Sequence, residues 1–132
     1  MKKRINISSK IENLREVEKL VDEFSEKYKL EDNIYGNVLI STLEAANNAI
    51  LHGNKLNLKK IAIITFKYEE KRLKIIVEDE GEGFDYKNVP DPTAPENIEK
   101  IDGRGIFLMN KLSDKCEYFE NGAKVVLTFN LD

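Results

Sequence analysis

Two pairs of short β-branched segments, each pair joined by a turn, most constrain how this chain of 132 residues folds. The charged turn 69–72 joins the first pair, and Asn121-Gly122, a dipeptide typical of hairpin turns, joins the second. This spacing predicts two antiparallel hairpins. The four predicted strands are residues 61–68, 73–77, about 115–119 and 123–131.

Helical periodicity lies outside these hairpins. Residues 11–30 place apolar side chains at three-four spacing, which predicts an amphipathic helix. A second helix over 34–52, capped by Asp32 and Asn33 and ended by Gly53, carries a wide apolar arc and should be central and buried. With a strand at 4–8 and a third helix at 103–112, the predicted order is β-α-α-β-β-loop-α-β-β. Segregated helices and hairpins predict an α+β fold built as a two-layer α/β sandwich.

Composition narrows the class of protein. One compact domain over residues 1–132 is expected from the length. The net charge of -3 does not indicate a basic surface that binds nucleic acid. No apolar stretch reaches the roughly 18 residues of a membrane span, and the N-terminus has no apolar signal segment. The single cysteine, Cys116, excludes an internal disulfide, so a cytoplasmic setting is expected.

The second predicted helix carries a row of polar residues, Glu44, Asn48 and His52, at four-residue spacing. Residues four apart share one helix face. The Asn48 carbonyl oxygen suits a hard cation such as Mg²⁺, and the Glu44 carboxylate can take a proton from water or a hydroxyl. A solvated polar stripe explains this helix equally well. His52, the only histidine, is expected to contact carbonyls at the helix end rather than to act in catalysis.

A glycine-rich turn follows the predicted strand 73–77. Asp79 continues the core-facing row of that strand, so it should lie at the edge of the core and need a partner such as the amino group of an adenine ring. Gly81 and Gly83 remove side chains where backbone and ligand approach each other. An ordinary turn that leaves a strand is the alternative.

A second glycine pair, Gly103-Arg104-Gly105, opens the third predicted helix. Amides at a helix N-terminus bind phosphate, and Arg104 adds a charge-assisted contact. A hinge beside a surface arginine is the alternative. The preceding segment, residues 86–102, contains all three prolines and little periodicity, which predicts a functional lid.

Together these residues resemble the histidine-kinase-like ATPase superfamily. Residues 44–53 look like its asparagine box, residues 79–83 like its first glycine box and residues 103–105 like its second. The resemblance is greatest to the bacterial anti-sigma factor serine/threonine kinases, in which Glu-x-x-x-Asn-Ala-x-x-His-Gly recurs. It implies a mixed, mostly antiparallel sheet covered on one face by three helices.

The resemblance also implies roles for these residues. Asn48 would coordinate Mg²⁺, Asp79 would hold the adenine amino group of ATP, and Glu44 would be the general base. Residues 86–102 would close over the phosphates, with contacts from the glycine boxes. The substrate would be a serine of an anti-anti-sigma type protein, a sigma factor is a further expected partner, and neither nucleic acid nor membrane is. Whether the chain forms a homodimer stays open.

One position departs from the family pattern, because Gly122-Ala123 stands where relatives often have Gly-Thr near the adenine. The loss of a hydroxyl would weaken adenine binding without affecting the phosphate end. A sensor histidine kinase is disfavoured because there is no second histidine to accept phosphate, and a gyrase-like ATPase because no transducing segment follows. Two possibilities remain: an active serine kinase, which Glu44 favours, and a non-catalytic module that sequesters a partner.

Overall fold

The computed structural model describes residues 1–83 and 101–131, and the side chains of residues 101–103 lie outside that description. Within these residues, strands and helices follow the predicted order. The strands are β1 (Lys2–Ser8), β2 (Ile61–Glu69), β3 (Arg72–Glu78), β4 (Lys115–Phe119) and β5 (Lys124–Asn130). The helices are α1 (Leu14–Tyr28), α2 (Asp32–Asn48) and α3 (Ile101–Leu112). The predicted lid over 86–102 lies almost entirely outside the described residues.

The strands form one sheet with the order β1-β2-β3-β5-β4. Both predicted hairpins are confirmed, and every described pairing is antiparallel rather than mixed. Strand β5 pairs with β3 as well as with β4, so it joins the two hairpins into one sheet. The α+β sandwich predicted from the segregation of helices and hairpins is therefore confirmed.

Alternate residues of the central strands are buried against the helices. Strand β3 illustrates the pattern, because Leu73, Ile75 and Val77 are buried while Lys74 between them is exposed. Helix α2 contacts both α1 and α3, which confirms its predicted central position. The described helices include none that is long and apolar enough to cross a membrane.

Both ends of α2 differ from the prediction. The helix begins at Asp32, and the residue that precedes it, Glu31, has extended backbone and no capping hydrogen bond from its side chain. Asp32 instead lies in the first turn, where a carboxylate interacts favourably with the helix dipole. The α-helix ends at Asn48 and continues as a π-helical turn, Ala49–Gly53. The two left-handed residues that follow this turn are Lys55 and Leu56, so Gly53 is not a left-handed helix stop.

The third helix also begins earlier than predicted. Ile101 is already helical, so Gly103 does not open α3 and Gly105 lies well inside it. Glycine has a poor helix propensity, but tertiary packing overrides such preferences. Here the buried side chains of Ile106 and Met109 anchor α3 in the core.

Candidate functional site

The end of the α2 region and the turn after β3 meet at two glycines and one aspartate. A Cβ atom on Gly53 would overlap the carboxylate of Asp79, and one on Gly81 would overlap the carbonyl oxygen of Gly53. The amide of Gly81 donates a hydrogen bond of 2.7 Å to Oδ1 of Asp79. The missing side chains are therefore what allows the two segments to approach and hold this carboxylate between them.

Gly83 makes a second close approach. Its φ of +87° is in the region that favours glycine, and a Cβ atom there would overlap the carbonyl oxygen of Asn121 in the turn between β4 and β5. The amide of Asp79 also donates to the carbonyl of Ala123 at 2.9 Å. The first glycine box is thus packed between α2 on one side and the last hairpin on the other.

These elements surround a pocket with about 570 Å³ of empty space, counting the part that opens to solvent. Apolar side chains from the helices and the sheet form most of its wall, including Ala45, Val77, Ile106, Met109 and Val125. Its polar side chains are those of Asn48, His52, Asp79 and Tyr118. An apolar pocket lined by a few polar groups is typical of a small-molecule site.

Asp79 is the carboxylate that lines this pocket. Burial raises the pKa of its carboxyl group, while the hydrogen bond from Gly81 and the charge of Lys60 act to lower that pKa. The desolvation is therefore only partly compensated within the protein. A donor on a bound ligand would supply the missing stabilisation of the carboxylate.

Glu44 and Asn48 occupy one face of α2, as their spacing predicted. Within the described residues, Oε2 of Glu44 and Oδ1 of Asn48 are buried and have no hydrogen-bond partner. Gly105 of α3 faces both side chains, because a Cβ atom on it would lie 2.9 Å from Oε2 of Glu44 and 3.2 Å from Nδ2 of Asn48. Two unsatisfied buried oxygens on adjacent turns are unusual in a native protein and call for an explanation such as a bound ion.

Arg104 lies on the solvent side of this pair. Its Nη2 is 3.5 Å from Oε1 of Glu44, and the arginine side chain is 60% exposed whereas that of the glutamate is 15% exposed. The structure thus brings Arg104 to the carboxylate of Glu44, a contact that the sequence did not predict. The backbone of Gly103 lies in α3, and its predicted phosphate contact stays a prediction.

Several residues of the site escaped the sequence analysis. Tyr118, Ile106 and Met109 line the pocket, although each looks like an ordinary apolar position of a strand or helix. Burial raises the pKa of the Tyr118 hydroxyl. Gly122 and Ala123, which stand where relatives often have Gly-Thr, also line the pocket. The period-two pattern of β4, which puts Tyr118 on the inner face with Cys116, was the available signal.

Comparison with known proteins identifies the family. The family described as Histidine kinase-like ATPase domain matches residues 7–129. The chain therefore belongs to that family, as its three sequence boxes predicted. A solved structure, the RsbU and RsbW domains of Rv1364c from Mycobacterium tuberculosis, matches with a TM-score of 0.72 at 15% identity. That match covers 99% of this chain and 32% of the other, and it shows that the two share a fold.

The sequence is also similar to curated serine-protein kinases. The Serine-protein kinase RsbW of Staphylococcus aureus strain JH9 is 34% identical over 98 residues, and that of strain Newman gives the same values. The matched region is 67% of this chain and 61% of each relative, so the chain spans about three fifths of the kinases it matches. These relatives fall in the subclass that the sequence resembled.

The contact between Gly53 and Asp79 leads to a prediction about stability. Gly53→Ala should destabilise the fold by about 1–3 kcal/mol, because the new methyl group must displace the Asp79 carboxylate. Gly36→Ala is the matched control, since a Cβ atom there meets nothing within 4 Å inside α2. It should stabilise the protein by about 0.5–1 kcal/mol. Denaturant unfolding measures both, and equal effects would contradict the close approach.

The raised pKa of Asp79 predicts a pH dependence of stability. A carboxyl group whose pKa is higher in the folded state than in the unfolded state contributes stability at low pH and loses it as pH rises. Asp79→Asn should therefore gain stability relative to the natural protein as pH rises from about 4 to about 7. Unfolding in urea across that range tests this. A difference that stays constant with pH would show that burial does not penalise this carboxylate.

Proposed function

We propose that this chain is an ATP-dependent protein serine/threonine kinase that transfers the γ-phosphoryl group of ATP to a serine of a small anti-anti-sigma type protein. One observation carries the proposal. An apolar pocket is lined by a partly desolvated carboxylate, Asp79, and the unsatisfied oxygens of Glu44 and Asn48 lie on α2, which contributes to the same lining. That arrangement suits a ligand with an apolar ring, an amino group and a charged end.

The adenine of ATP would suit the apolar lining of the pocket by its chemistry. Its ring would lie between apolar side chains of α2, α3 and the sheet, including Ala49, Met109 and Val125. Its amino group would donate to the carboxylate of Asp79, which has lost part of its hydration. Gly81 and Gly83 would act indirectly, because a Cβ atom on either would meet the protein's own backbone at Gly53 or Asn121 rather than the nucleotide. Ala123 supplies no hydroxyl here, so adenine binding relies more heavily on Asp79.

Asn48 and Glu44 would serve the phosphate end. The described residues contain no cluster of three or more metal-ligating acids, histidines or cysteines. Mg²⁺ commonly takes few protein ligands and completes its shell with phosphates and water, so the buried Oδ1 of Asn48 fits such a site. When bound, the ion would neutralise charge on the phosphates. The amide of Gly103 and the guanidinium group of Arg104 would contribute phosphate contacts. The amide of Gly105, which the sequence also predicted to bind phosphate, lies too far inside α3 to be free for such a contact.

The reaction needs one proton acceptor. The serine hydroxyl oxygen would attack the γ-phosphorus, the bond from that phosphorus to the β-γ bridging oxygen would break, and ADP would leave. Glu44 would take the hydroxyl proton through Oε2, which has no hydrogen-bond partner within the described residues. Positioning and charge stabilisation would supply most of the rate enhancement, as is usual in phosphoryl transfer.

The partners follow from the subclass. Serine-protein kinases of the RsbW type are the curated relatives, and a small protein with an acceptor serine is the substrate we infer. A sigma factor is the second partner that we infer, which would make the protein a transcription regulator. A reducing cytoplasm suits the one cysteine of the sequence.

A non-catalytic module that binds ATP and sequesters a partner is the second candidate. The ion pair between Arg104 and Glu44 favours it, because this pair directs the carboxylate to a side chain of the protein itself rather than to a serine hydroxyl. In this alternative ATP would only stabilise a partner-binding conformation. The two candidates share nucleotide binding and differ in phosphoryl transfer.

ATP binding is the first test. Calorimetry with Mg²⁺ should show binding to the natural protein, and Asp79→Asn should weaken it about 10- to 100-fold, the value of a hydrogen bond to a charged group. Glu82→Gln is the matched control, because it removes a charge from an exposed position in the same turn and should leave affinity unchanged. Absence of binding to the natural protein would refute both candidate functions.

Phosphoryl transfer is the second test. Glu44→Gln should preserve ATP binding and lower transfer to a purified anti-anti-sigma type protein by about 10²–10⁴-fold, the usual cost of losing a general base. Asp32→Asn, an exposed change at the start of the same helix, should leave transfer unchanged. Unaltered transfer by Glu44→Gln would remove Glu44 from the mechanism. Intact binding without transfer by the natural protein would favour the sequestering module.

A further inference from the structure

Asn54, the residue after Gly53, is a buried polar side chain that none of the proposed chemistry uses. It is 1% exposed and its amide group makes three hydrogen bonds. Nδ2 donates to Oγ of Ser9 at 3.0 Å and to the carbonyl of Ile61 at 2.9 Å. Oδ1 accepts from the amide of Glu80 at 2.7 Å. A buried side chain with this many hydrogen bonds rigidly joins the segments it contacts.

These bonds connect four separate segments at one point. The backbone amide of Asn54 donates to the carbonyl of Ala49 at 2.8 Å, which ties the side chain to the end of the α2 region. Ser9 follows β1, Ile61 begins β2, and Glu80 belongs to the turn after β3. The turn is held a second time, because Oε1 of Glu80 accepts from the amide of Ile61 at 2.6 Å.

The position of this junction relates it to Asp79. Asn54 follows Gly53 in the chain, and Glu80 follows Asp79. The hydrogen bond from the amide of Glu80 to Asn54 is therefore directly beside the contact between Gly53 and Asp79. It therefore fixes the separation of the two backbones between which the carboxylate lies. A displacement of about 1 Å in such a supporting group is enough to impair a functional contact.

We infer that Asn54 is a positioning residue that holds the Asp79 carboxylate where it distinguishes an amino group on a purine ring from a carbonyl oxygen. This inference rests on the proposed adenine contact of Asp79. Asn54 acts through the turn and does not touch the nucleotide. A solely structural role would also make its loss destabilising, so stability alone does not separate the two roles.

Selectivity between ATP and ITP separates them, because ITP carries a carbonyl oxygen where ATP carries the amino group. The ratio of the two dissociation constants is measured by calorimetry with Mg²⁺. Asn54→Ala should lower this ratio by about 3- to 10-fold, within the range of couplings between contacting groups. Ser9→Ala is the matched control. It removes a buried member of the same network but spares the bond to Glu80, so the ratio should not change.

A second comparison ties the effect to Asp79. In an Asp79→Ala background no carboxylate remains to be positioned, so adding Asn54→Ala should leave the ratio unchanged. An unchanged ratio in folded Asn54→Ala would overturn the inference while leaving the proposed function intact. No preference for ATP in the natural protein would refute the adenine contact itself and the inference with it. If Asn54→Ala does not fold, Asn54→Ser, which retains a shorter hydrogen-bonding group, gives the same reading.

Discussion

The close approach of two backbones at Gly53 and Gly81 is the constraint on which the rest of this site depends. It confines the Asp79 carboxylate between a helix end and a turn, with one hydrogen bond from Gly81 and incomplete hydration. The protein accepts a desolvated charge here and offsets it by the buried network around Asn54. A buried polar group that lacks part of its hydrogen bonding lowers the stability of the fold, and such groups are typical of binding sites.

The fold could be predicted largely from the sequence because its strongest signals are local. The alternation in Leu73, Ile75 and Val77 fixes which face of β3 is buried, and the turn residues between paired strands fix both hairpins. The insertion of β5 beside β3 could not be predicted in the same way. The pairing of Ile75 with Leu127 joins residues far apart in the chain, and nothing in either segment specifies the other.

The candidate site was predictable only in part, for a related reason. The spacing of Glu44 and Asn48 and the row that ends at Asp79 are local patterns. The structure places Asn48 and Asp79 in the lining of one pocket and Glu44 one helical turn before Asn48. In the sequence Gly53 looks like a helix stop. A glycine that leaves room for a neighbouring group cannot be distinguished by sequence alone from one that adopts a left-handed backbone. Asn54 gave no signal at all, since its side-chain partners come from three other segments of the chain.

Helix α3 connects the two ends of the site. Ile106 and Met109 form part of the apolar pocket, while Arg104 and Gly105, one turn earlier, contact the polar residues of α2. A shift of α3 would therefore alter the apolar pocket and the surroundings of Glu44 together. A ligand favours one position of α3 only through contacts that differ between positions. Phosphates that compete with Glu44 for Arg104 would make such a difference, because the guanidinium group cannot bind both fully.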